Sequence, residues 1–304
     1  MNEGQAKSLF ESMGKTIRFM TRYWLAQCPN PEHPDKNPSC TISKDHPHYF
    51  KCRSCGYTGN LNAIAKDYGL EVDNKVEFNF EAYRTVSLPD ISKLRLEGWS
   101  GDYRGVAESV WQNIGAMKWY DTNKFTNEAG EEVEVLDAIR LLLPIYLKGV
   151  LVGYAGRRLD ADKMKKYNNY SGANFSQLLY PLDWCQPQNP IVLVEGPLDA
   201  LKCWMYQIPA LCLFGTQSWS DRKLALLLEK APSSVWLCFD NDKAGQDAQN
   251  KLYHRLSRFF DVQVIELPEG NDPFDLDPSL LETIKDAVWA RHLEKIQSRV
   301  ISTV

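Results

Sequence analysis

The chain has 304 residues, of which 44% are hydrophobic, and a formal net charge of −4 at pH 7. This length and composition allow two or three compact units with ordinary cores. They exclude a uniformly basic nucleic-acid binder, and no apolar stretch reaches the ~18 residues of a membrane span. The eight cysteines do not form a secreted disulfide pattern, since four have metal-ligand spacing, so we expect a reducing cytoplasmic setting without a membrane.

A predicted helical arm and a predicted linker flank a small N-terminal module. Residues 1–24 form the arm, with apolar side chains at helical spacing: Leu9, Met13, Ile17 and Met20. The arm is expected to pack on the domain that follows. Residues 71–87 are polar and acidic, and such a linker would let the module move relative to the rest of the chain.

The module between them, residues 25–70, contains two compact pairs of metal-ligand residues. Cys28 and His33 form the first pair, and Cys52 and Cys55 form the second. Strands on either side of a hairpin would bring the pairs together. Three cysteines and one histidine are an established ligand set for structural zinc. His46 and His48 are more typical of a polar turn, although either could replace His33, and Cys40 is expected to be a packed side chain.

Residues 88–186 are predicted to form a mixed α/β subdomain. A short helix over residues 106–111 precedes strands at residues 113–120, 139–147 and 149–156. Basic residues then concentrate over residues 153–168. A charge run of this kind is usually a solvated face, and the acidic net charge requires any nucleic-acid binding to come from a local basic groove.

Carboxylates follow two apolar strands in the C-terminal third of the chain. Glu195 and Asp199 follow the strand at residues 191–194, and Asp240 and Asp242 follow the strand at residues 235–239. The strands alternate with helices up to residue 267, which predicts a parallel sheet. Acids at the carboxyl ends of neighbouring strands lie in the ligand crevice of such a sheet, and Mg²⁺ prefers oxygen ligands. A terminal helix is predicted over residues 278–304.

A third acidic motif, which contains Asp272, follows the strand at residues 262–267. The three motifs in this order are similar to the Toprim domain shared by topoisomerases and primases, over residues 187–277. The resemblance implies that Glu195 acts in acid/base chemistry or as a metal ligand. It further implies that Asp240 and Asp242 bind Mg²⁺ or Mn²⁺, with Asp199 and Asp272 as further metal ligands.

Two further segments resemble bacterial and phage DNA primases. Cys28-Pro-Asn-Pro-Glu-His33, followed by Cys52-Arg-Ser-Cys55-Gly, is similar to their zinc-binding domain, although the gap between Cys28 and His33 is wider than in bacterial primases. The segment from Gly156 through Lys166-Tyr-Asn to Tyr180 is similar to their basic segment. The resemblance implies that basic residues here hold the template or the nucleotide, and that a tyrosine stacks on a base: Arg157, Arg158, Lys166 and Tyr167.

The whole layout resembles the primase half of phage primase-helicases. The implied fold is α/β: a small β-rich zinc ribbon, a mixed α/β subdomain and a Toprim Rossmann-like parallel sheet. The implied function is synthesis of short RNA primers on single-stranded DNA from ribonucleoside triphosphates. One structural Zn²⁺ and catalytic Mg²⁺ or Mn²⁺ are implied, with Glu195, Asp240 and Asp242 as catalytic residues. The sequence has no Gly-x-x-x-x-Gly-Lys-Ser/Thr phosphate loop, so we expect a replicative helicase on a separate polypeptide.

Other functions use similar elements. A Toprim nuclease has a related metal site, but the zinc module is unexpected there. A binding module could hold single-stranded DNA or a helicase without synthesis, but it would not need all the acids. A topoisomerase is less favoured, because it would need a nucleophilic tyrosine in further domains for which the chain has no room.

Overall fold

The structure is a computed structural model. It describes residues 2–21, 23–43, 49–61, 64–65, 68–70, 88–127, 130–160, 166–215, 218–268 and 273–301. Within these residues the chain forms two antiparallel sheets of five strands and one parallel sheet of four strands. The predicted fold class is confirmed, with a β-rich N-terminal region, a mixed subdomain and a parallel α/β sheet.

The first sheet forms the N-terminal module, which has its own core. Its elements are α1 (Glu3–Ser12), β1 (Ile17–Phe19), β2 (Tyr23–Ala26), β3 (Cys40–Ser43), β4 (Tyr49–Cys52) and β5 (Thr58–Asn60). The strands pair in chain order as an antiparallel meander. Leu9 and Phe10 of α1 are buried with Trp24 and Ile42 of the sheet, so the helix covers one face of the zinc-ribbon-like strands.

The predicted helical arm over residues 1–24 is wrong beyond α1. The helix ends at Ser12, and Gly14 has a φ of +65°, in the left-handed region that stops a helix. Residues Ile17–Phe19 pair instead with β2, so strand pairing outweighs the helical spacing of Ile17 and Met20. The predicted strands on either side of the hairpin are confirmed as β3 and β4. His46, His48 and the predicted linker at residues 71–87 lie outside the described residues.

The second sheet forms the mixed subdomain at the expected place. Its elements are β6 (Leu96–Gly98), α2 (Glu108–Ile114), β7 (Met117–Thr126), β8 (Glu132–Leu147), β9 (Val150–Arg158) and β10 (Tyr167–Asn169). The strand order is β10-β9-β8-β7-β6, with every neighbouring pair antiparallel. Lys148 and Gly149 connect β8 to β9 with φ values of +53° and +77°, as a two-residue hairpin turn requires.

The third sheet alternates strands and helices as predicted. Its elements are β11 (Ile191–Val194), α3 (Pro197–Met205), β12 (Ala210–Cys212), α4 (Asp221–Lys230), β13 (Val235–Leu237), α5 (Lys243–Leu256), β14 (Val262–Val264) and the terminal α6 (Pro278–Ile301). The strand order is β12-β11-β13-β14. From β11 the chain adds β12 on one side and then crosses to β13 on the other side. Sheets of this kind bind ligands in the crevice at the carboxyl ends of the two strands where the direction changes, here β11 and β13.

One core joins the second and third sheets. Leu141 and Leu143 of β8 belong to the same buried cluster as Val192 and Leu193 of β11. Tyr180, before the parallel sheet, exchanges backbone hydrogen bonds with Cys212 at its edge. The side chains that the two sheets present to the crevice are therefore held by a single packed unit.

The N-terminal module meets this unit through a polar contact. Lys51 of β4 donates from Nζ to the carbonyl oxygens of Ser257, at 3.2 Å, and Phe260, just beyond α5. Burial lowers the pKa of Lys51 to about 8. Among the residues described, no helix is long and apolar enough to cross a membrane.

Candidate functional site

Glu195 and Asp240 meet at the carboxyl ends of β11 and β13. The two strands lie side by side, and the backbone N–H of Cys238 donates to the Leu193 carbonyl at 2.9 Å. The N–H of Asp240 donates to Glu195 Oε1 at 3.3 Å. The parallel register therefore places both carboxylates in one crevice, as the sequence predicted.

Asp199 and Asp242 use one oxygen each to hold the start of a helix. Asp199 Oδ2 accepts from the N–H of Gly196 at 2.8 Å, and Asp242 Oδ1 accepts from the N–H of Gly245 at 2.7 Å. Asp242 is exposed. Both Asp240 and Asp242 lie beyond β13, which ends at Leu237. Asp272 lies outside the described residues.

Gly245 lets the first turn of α5 approach these acids closely. A Cβ on Gly245 would overlap the carbonyl oxygen of Asp240 and come within 3.0 Å of Glu195 Oε1. The N–H of Gly245 is also the donor to Asp242. Only a residue without a side chain fits between the helix and the carboxylates.

The substitution Gly245→Ala is expected to destabilise the protein by about 1–3 kcal/mol, as overpacking does in well-packed regions. The measurement is the midpoint and slope of urea unfolding. Asp247→Ala, at an exposed position on the same helix, is the matched control and should change stability little. Equal stability of Gly245→Ala and the native protein would show that the helix does not approach the acids this closely.

The crevice forms a pocket of about 350 Å³, within the range of ligand sites in proteins. It brings together acids from the third sheet and basic or aromatic residues from the second: Glu195, Asp199 and Asp240, with Arg157, Lys166 and Tyr167. Six predicted site residues thus line one cavity. Like-charged acids and nearby cations suit a ligand that carries both a metal ion and phosphates.

Arg157 and Tyr167 form a partly buried pair on the pocket side of the second sheet. They are partners in the register of β9 and β10, and Arg157 donates to Tyr167 Oη at 3.1 Å. The guanidinium carbon lies 5.6 Å from the ring centroid. Burial raises the pKa of Tyr167, and Arg157 offsets part of that rise. The tyrosine therefore remains a neutral phenol that orients the guanidinium.

Arg158 lies on the other face of β9, because successive side chains of a strand alternate. It is opposite Arg140 in the register and forms an ion pair with Asp137 at 2.9 Å. This ion pair, with the nearby Arg140, lowers the pKa of Asp137. The structure thus separates the two arginines that the sequence grouped, and places Arg158 in a structural network away from the pocket.

Other residues that were not singled out from the sequence also line the pocket, among them Arg104, Asn169 and Phe274. Arg104 lies in a short turn before α2, where no motif marks it. Asn169 is two residues beyond Tyr167 on the same strand, so strand alternation around Tyr167 could have identified it.

The four predicted ligands of the N-terminal module form one cluster. The ligand atoms of Cys28, His33, Cys52 and Cys55 all lie within 4.8 Å of one another. Two pairs are closer, with Cys28 Sγ 3.7 Å from Cys55 Sγ and Cys52 Sγ 3.6 Å from His33 Nδ1. Tetrahedral zinc with bonds of about 2.3 Å places its ligands about 3.8 Å apart. This Cys₃His cluster could therefore hold a zinc ion.

Neighbouring polar groups orient the cluster. Asp35 Oδ2 accepts from the N–H of Cys28 at 2.7 Å and from Ser39 Oγ at 2.6 Å. Cys40 is buried and paired in register with Cys52. Its thiol lowers the pKa of Cys28 to about 5 by hydrogen bonding, the largest of several causes. Cys28 is thus disposed to be the thiolate that a metal requires.

Comparison with known protein families gives a match in the C-terminal part of the chain. A family model described as Toprim-like matches residues 192–276, the stretch that carries the parallel sheet and its acids. The predicted resemblance to Toprim domains is confirmed.

Similarity to individual proteins extends over most of the chain. The DNA primase of Staphylococcus aureus strain MSSA476 is 33% identical over 83% of this chain and 52% of its own length. The DNA primase of Clostridium acetobutylicum is 26% identical over 80% of this chain and 50% of its own length. The chain spans about half the length of these curated relatives. The predicted resemblance to DNA primases is confirmed.

A solved structure is also similar. The Aquifex aeolicus primase, comprising zinc-binding and RNA polymerase domains, has 19% sequence identity and a TM-score of 0.49, with 93% of this chain and 84% of that chain covered.

Proposed function

We propose that this chain synthesises short RNA primers on single-stranded DNA during replication. The observation that carries the proposal is the single pocket in which Glu195 and Asp240 lie with Arg157 and Lys166. Polymerisation of nucleotides needs acids that bind metal ions and cations that bind phosphates. The similarity to DNA primases over most of the chain supports the same conclusion.

Glu195, Asp240 and Asp242 are the residues proposed to hold Mg²⁺ or Mn²⁺, with Asp199 and Asp272 as further candidates. The donors fit, because carboxylate oxygens are the hard ligands that these ions prefer, and the crevice lined by Glu195, Asp199 and Asp240 has room for a triphosphate and water. When bound, these ions would neutralise charge that develops on the triphosphate and ease deprotonation of the attacking hydroxyl.

The proposed reaction is a nucleotidyl transfer. The 3′-hydroxyl oxygen of one ribonucleotide attacks the α-phosphorus of the next triphosphate, a new P–O bond forms, and the bond to the β-phosphate oxygen breaks to release pyrophosphate. Glu195 would accept the hydroxyl proton, a role supported by the N–H of Asp240, which donates to Glu195 Oε1 and orients the carboxylate. Arg157 and Lys166 would hold phosphates of the nucleotide or template, and Tyr167 keeps the Arg157 guanidinium in place.

The N-terminal module is proposed to bind one structural Zn²⁺ through Cys28, His33, Cys52 and Cys55, and to contribute to template selection. The module has a small core of its own. A metal ion bound by the two ligand pairs would therefore stabilise its fold. None of the eight cysteines forms a disulfide, which suits a reducing cytoplasm. A replicative helicase on a separate polypeptide is the expected partner.

The test is incorporation of labelled ribonucleotides on mixed-sequence single-stranded DNA with Mg²⁺ or Mn²⁺. Short labelled oligomers are expected only when template is present, with loss of product in EDTA and recovery when Mg²⁺ is restored in excess. Cleavage of the template without incorporation would identify a nuclease instead. Template binding without either reaction would identify a binding module.

A further inference from the structure

A buried lysine of α4 lies behind the chain segment that follows β12. Lys223 is fully buried, and its Nζ donates to the carbonyl oxygens of Leu213 and Ser218, the latter at 2.8 Å, and to Ser218 Oγ at 2.8 Å. Burial lowers the pKa of Lys223 to about 8, so most of the amine still carries its proton at pH 7. No acidic side chain in the described ranges forms an ion pair with this ammonium.

This arrangement is costly for a side chain that serves only to pack. Lysine is rarely buried completely unless it is paired with an opposite charge. An apolar side chain of similar volume often replaces a buried charge without loss of stability. The next five residues of α4, Leu224 to Leu228, are apolar and buried, so the packing of the helix does not require a charge at position 223. The charge is better explained by the segment that it holds.

The segment held by Lys223 forms one wall of the crevice. We call the following residues the crevice turn: Leu213, Phe214, Gly215 and Ser218. Phe214 and Gly215 line the same pocket as Glu195, and both have positive φ values, +57° and +110°. A phenylalanine in the left-handed region is strained, and such a conformation persists only where the surrounding contacts impose it.

Hydrogen bonds connect the buried ammonium to the backbone of Glu195. Ser218 Oγ, which accepts from Lys223, donates to the Gly215 carbonyl oxygen at 2.7 Å. The N–H of Gly215 donates to the Glu195 carbonyl oxygen at 3.1 Å. Lys223 itself does not line the crevice pocket, so its effect on the chemistry would pass through the crevice turn.

We propose that Lys223 is a positioning residue for the reaction in the crevice: its ammonium fixes the crevice turn, which fixes the backbone from which the Glu195 carboxylate projects. This inference rests on the proposed function, because Glu195 is the residue expected to bind metal and accept the proton. A displacement of about 1 Å at a catalytic group lowers a rate ~100-fold. Loss of the contacts behind the wall of the site therefore has a large effect without any contact to substrate.

The test compares Lys223→Met and Ser218→Ala with a matched control, Lys230→Met. Methionine keeps much of the length of the lysine side chain but cannot donate hydrogen bonds. Lys230 is also a lysine of α4 that donates to a backbone carbonyl oxygen, that of Cys185 at 2.7 Å, but this carbonyl does not belong to the crevice turn.

Three properties are measured for each protein. They are the midpoint of urea unfolding, the affinity for Mn²⁺ by electron paramagnetic resonance, and kcat and KM for ribonucleotide incorporation at saturating Mn²⁺. The Mn²⁺ signal is assigned to the crevice by its loss in Asp240→Asn. Mn²⁺ binding reports the position of the carboxylates even where no primer is made.

Lys223→Met is expected to unfold at about the same urea concentration as the native protein, because the lost hydrogen bonds are offset by the removal of a buried charge. Its Mn²⁺ affinity and kcat should fall roughly 10- to 100-fold, the range for residues that orient metal ligands. KM for ribonucleotides should stay close to the native value. Ser218→Ala should show the same pattern to a smaller extent, and Lys230→Met should match the native protein.

Native kcat and native Mn²⁺ affinity in Lys223→Met would overturn the proposal. Equal losses in Lys230→Met, a kcat that falls only in proportion to the folded fraction, or the absence of a crevice Mn²⁺ signal in the native protein would overturn it as well. If Lys223→Met does not fold, Ser218→Ala decides by the same criteria. Native protein that makes no primer, together with weaker Mn²⁺ binding in Lys223→Met, would contradict only the proposed function.

Discussion

Asp240→Asn is expected to reduce primer synthesis by at least ~100-fold, because even residues that only support metal ligands cost 10–100-fold when removed. Asparagine preserves the shape of the side chain but removes the charge that a divalent cation needs. Asp240 follows the buried strand β13 and meets Glu195 through its own backbone N–H. The loss should therefore fall on the chemistry and leave the fold intact.

The measurement is the rate of ribonucleotide incorporation at saturating template, with a Mg²⁺ titration of each variant. Asp247→Asn is the matched control, since it removes one exposed carboxylate from α5 without touching the crevice. Full activity of Asp240→Asn would remove this carboxylate from the proposed metal site. Equal losses in both variants would indicate a general effect of charge.

Cys52→Ser is expected to abolish zinc binding and unfold the N-terminal module. A structural zinc site contributes about 10–16 kcal/mol to the folding of small zinc domains, more than this module could lose and stay folded. Cys52 is close to both His33 and Cys55. The module has a core separate from the rest of the chain, so the two other sheets should remain folded.

Elemental analysis should find about one zinc per native chain and much less in Cys52→Ser, and limited proteolysis should cut the variant within the module first. Cys40→Ala is the matched control: Cys40 is buried beside Cys52 in the register but is not one of the four clustered ligands. Zinc lost from Cys40→Ala as fully as from Cys52→Ser would contradict the assignment of ligands.

The elements around the acids were predictable from sequence because their signals are local. A buried parallel strand is a continuous apolar run, and the residues that follow it must lie at the carboxyl edge of the sheet. Glu195 and Asp240 could therefore be located without knowing the strand order. The metal-ligand pairs were predictable for a similar reason, since Cys52 and Cys55 are fixed by spacing within one turn.

Features that depend on register or on isolated turns were not predictable. Arg157 and Arg158 are adjacent in sequence, and only the pairing of β9 with its neighbours decides which one faces the pocket. Arg104 occupies a turn whose sequence lacks the asparagine that usually marks such turns. The helical arm was wrong because the spacing of Ile17 and Met20 fits a helix, while pairing with β2 is a long-range property.

The two separate cores have an evolutionary consequence. Substitutions that reshape the packing of Leu9, Trp24 and Ile42 are not transmitted to the packing around Leu193, because the residues belong to different clusters. If the N-terminal module selects the template, its sequence can drift toward a new recognition site while selection preserves the catalytic geometry. Template choice and chemistry would then be inherited as separable traits within one polypeptide.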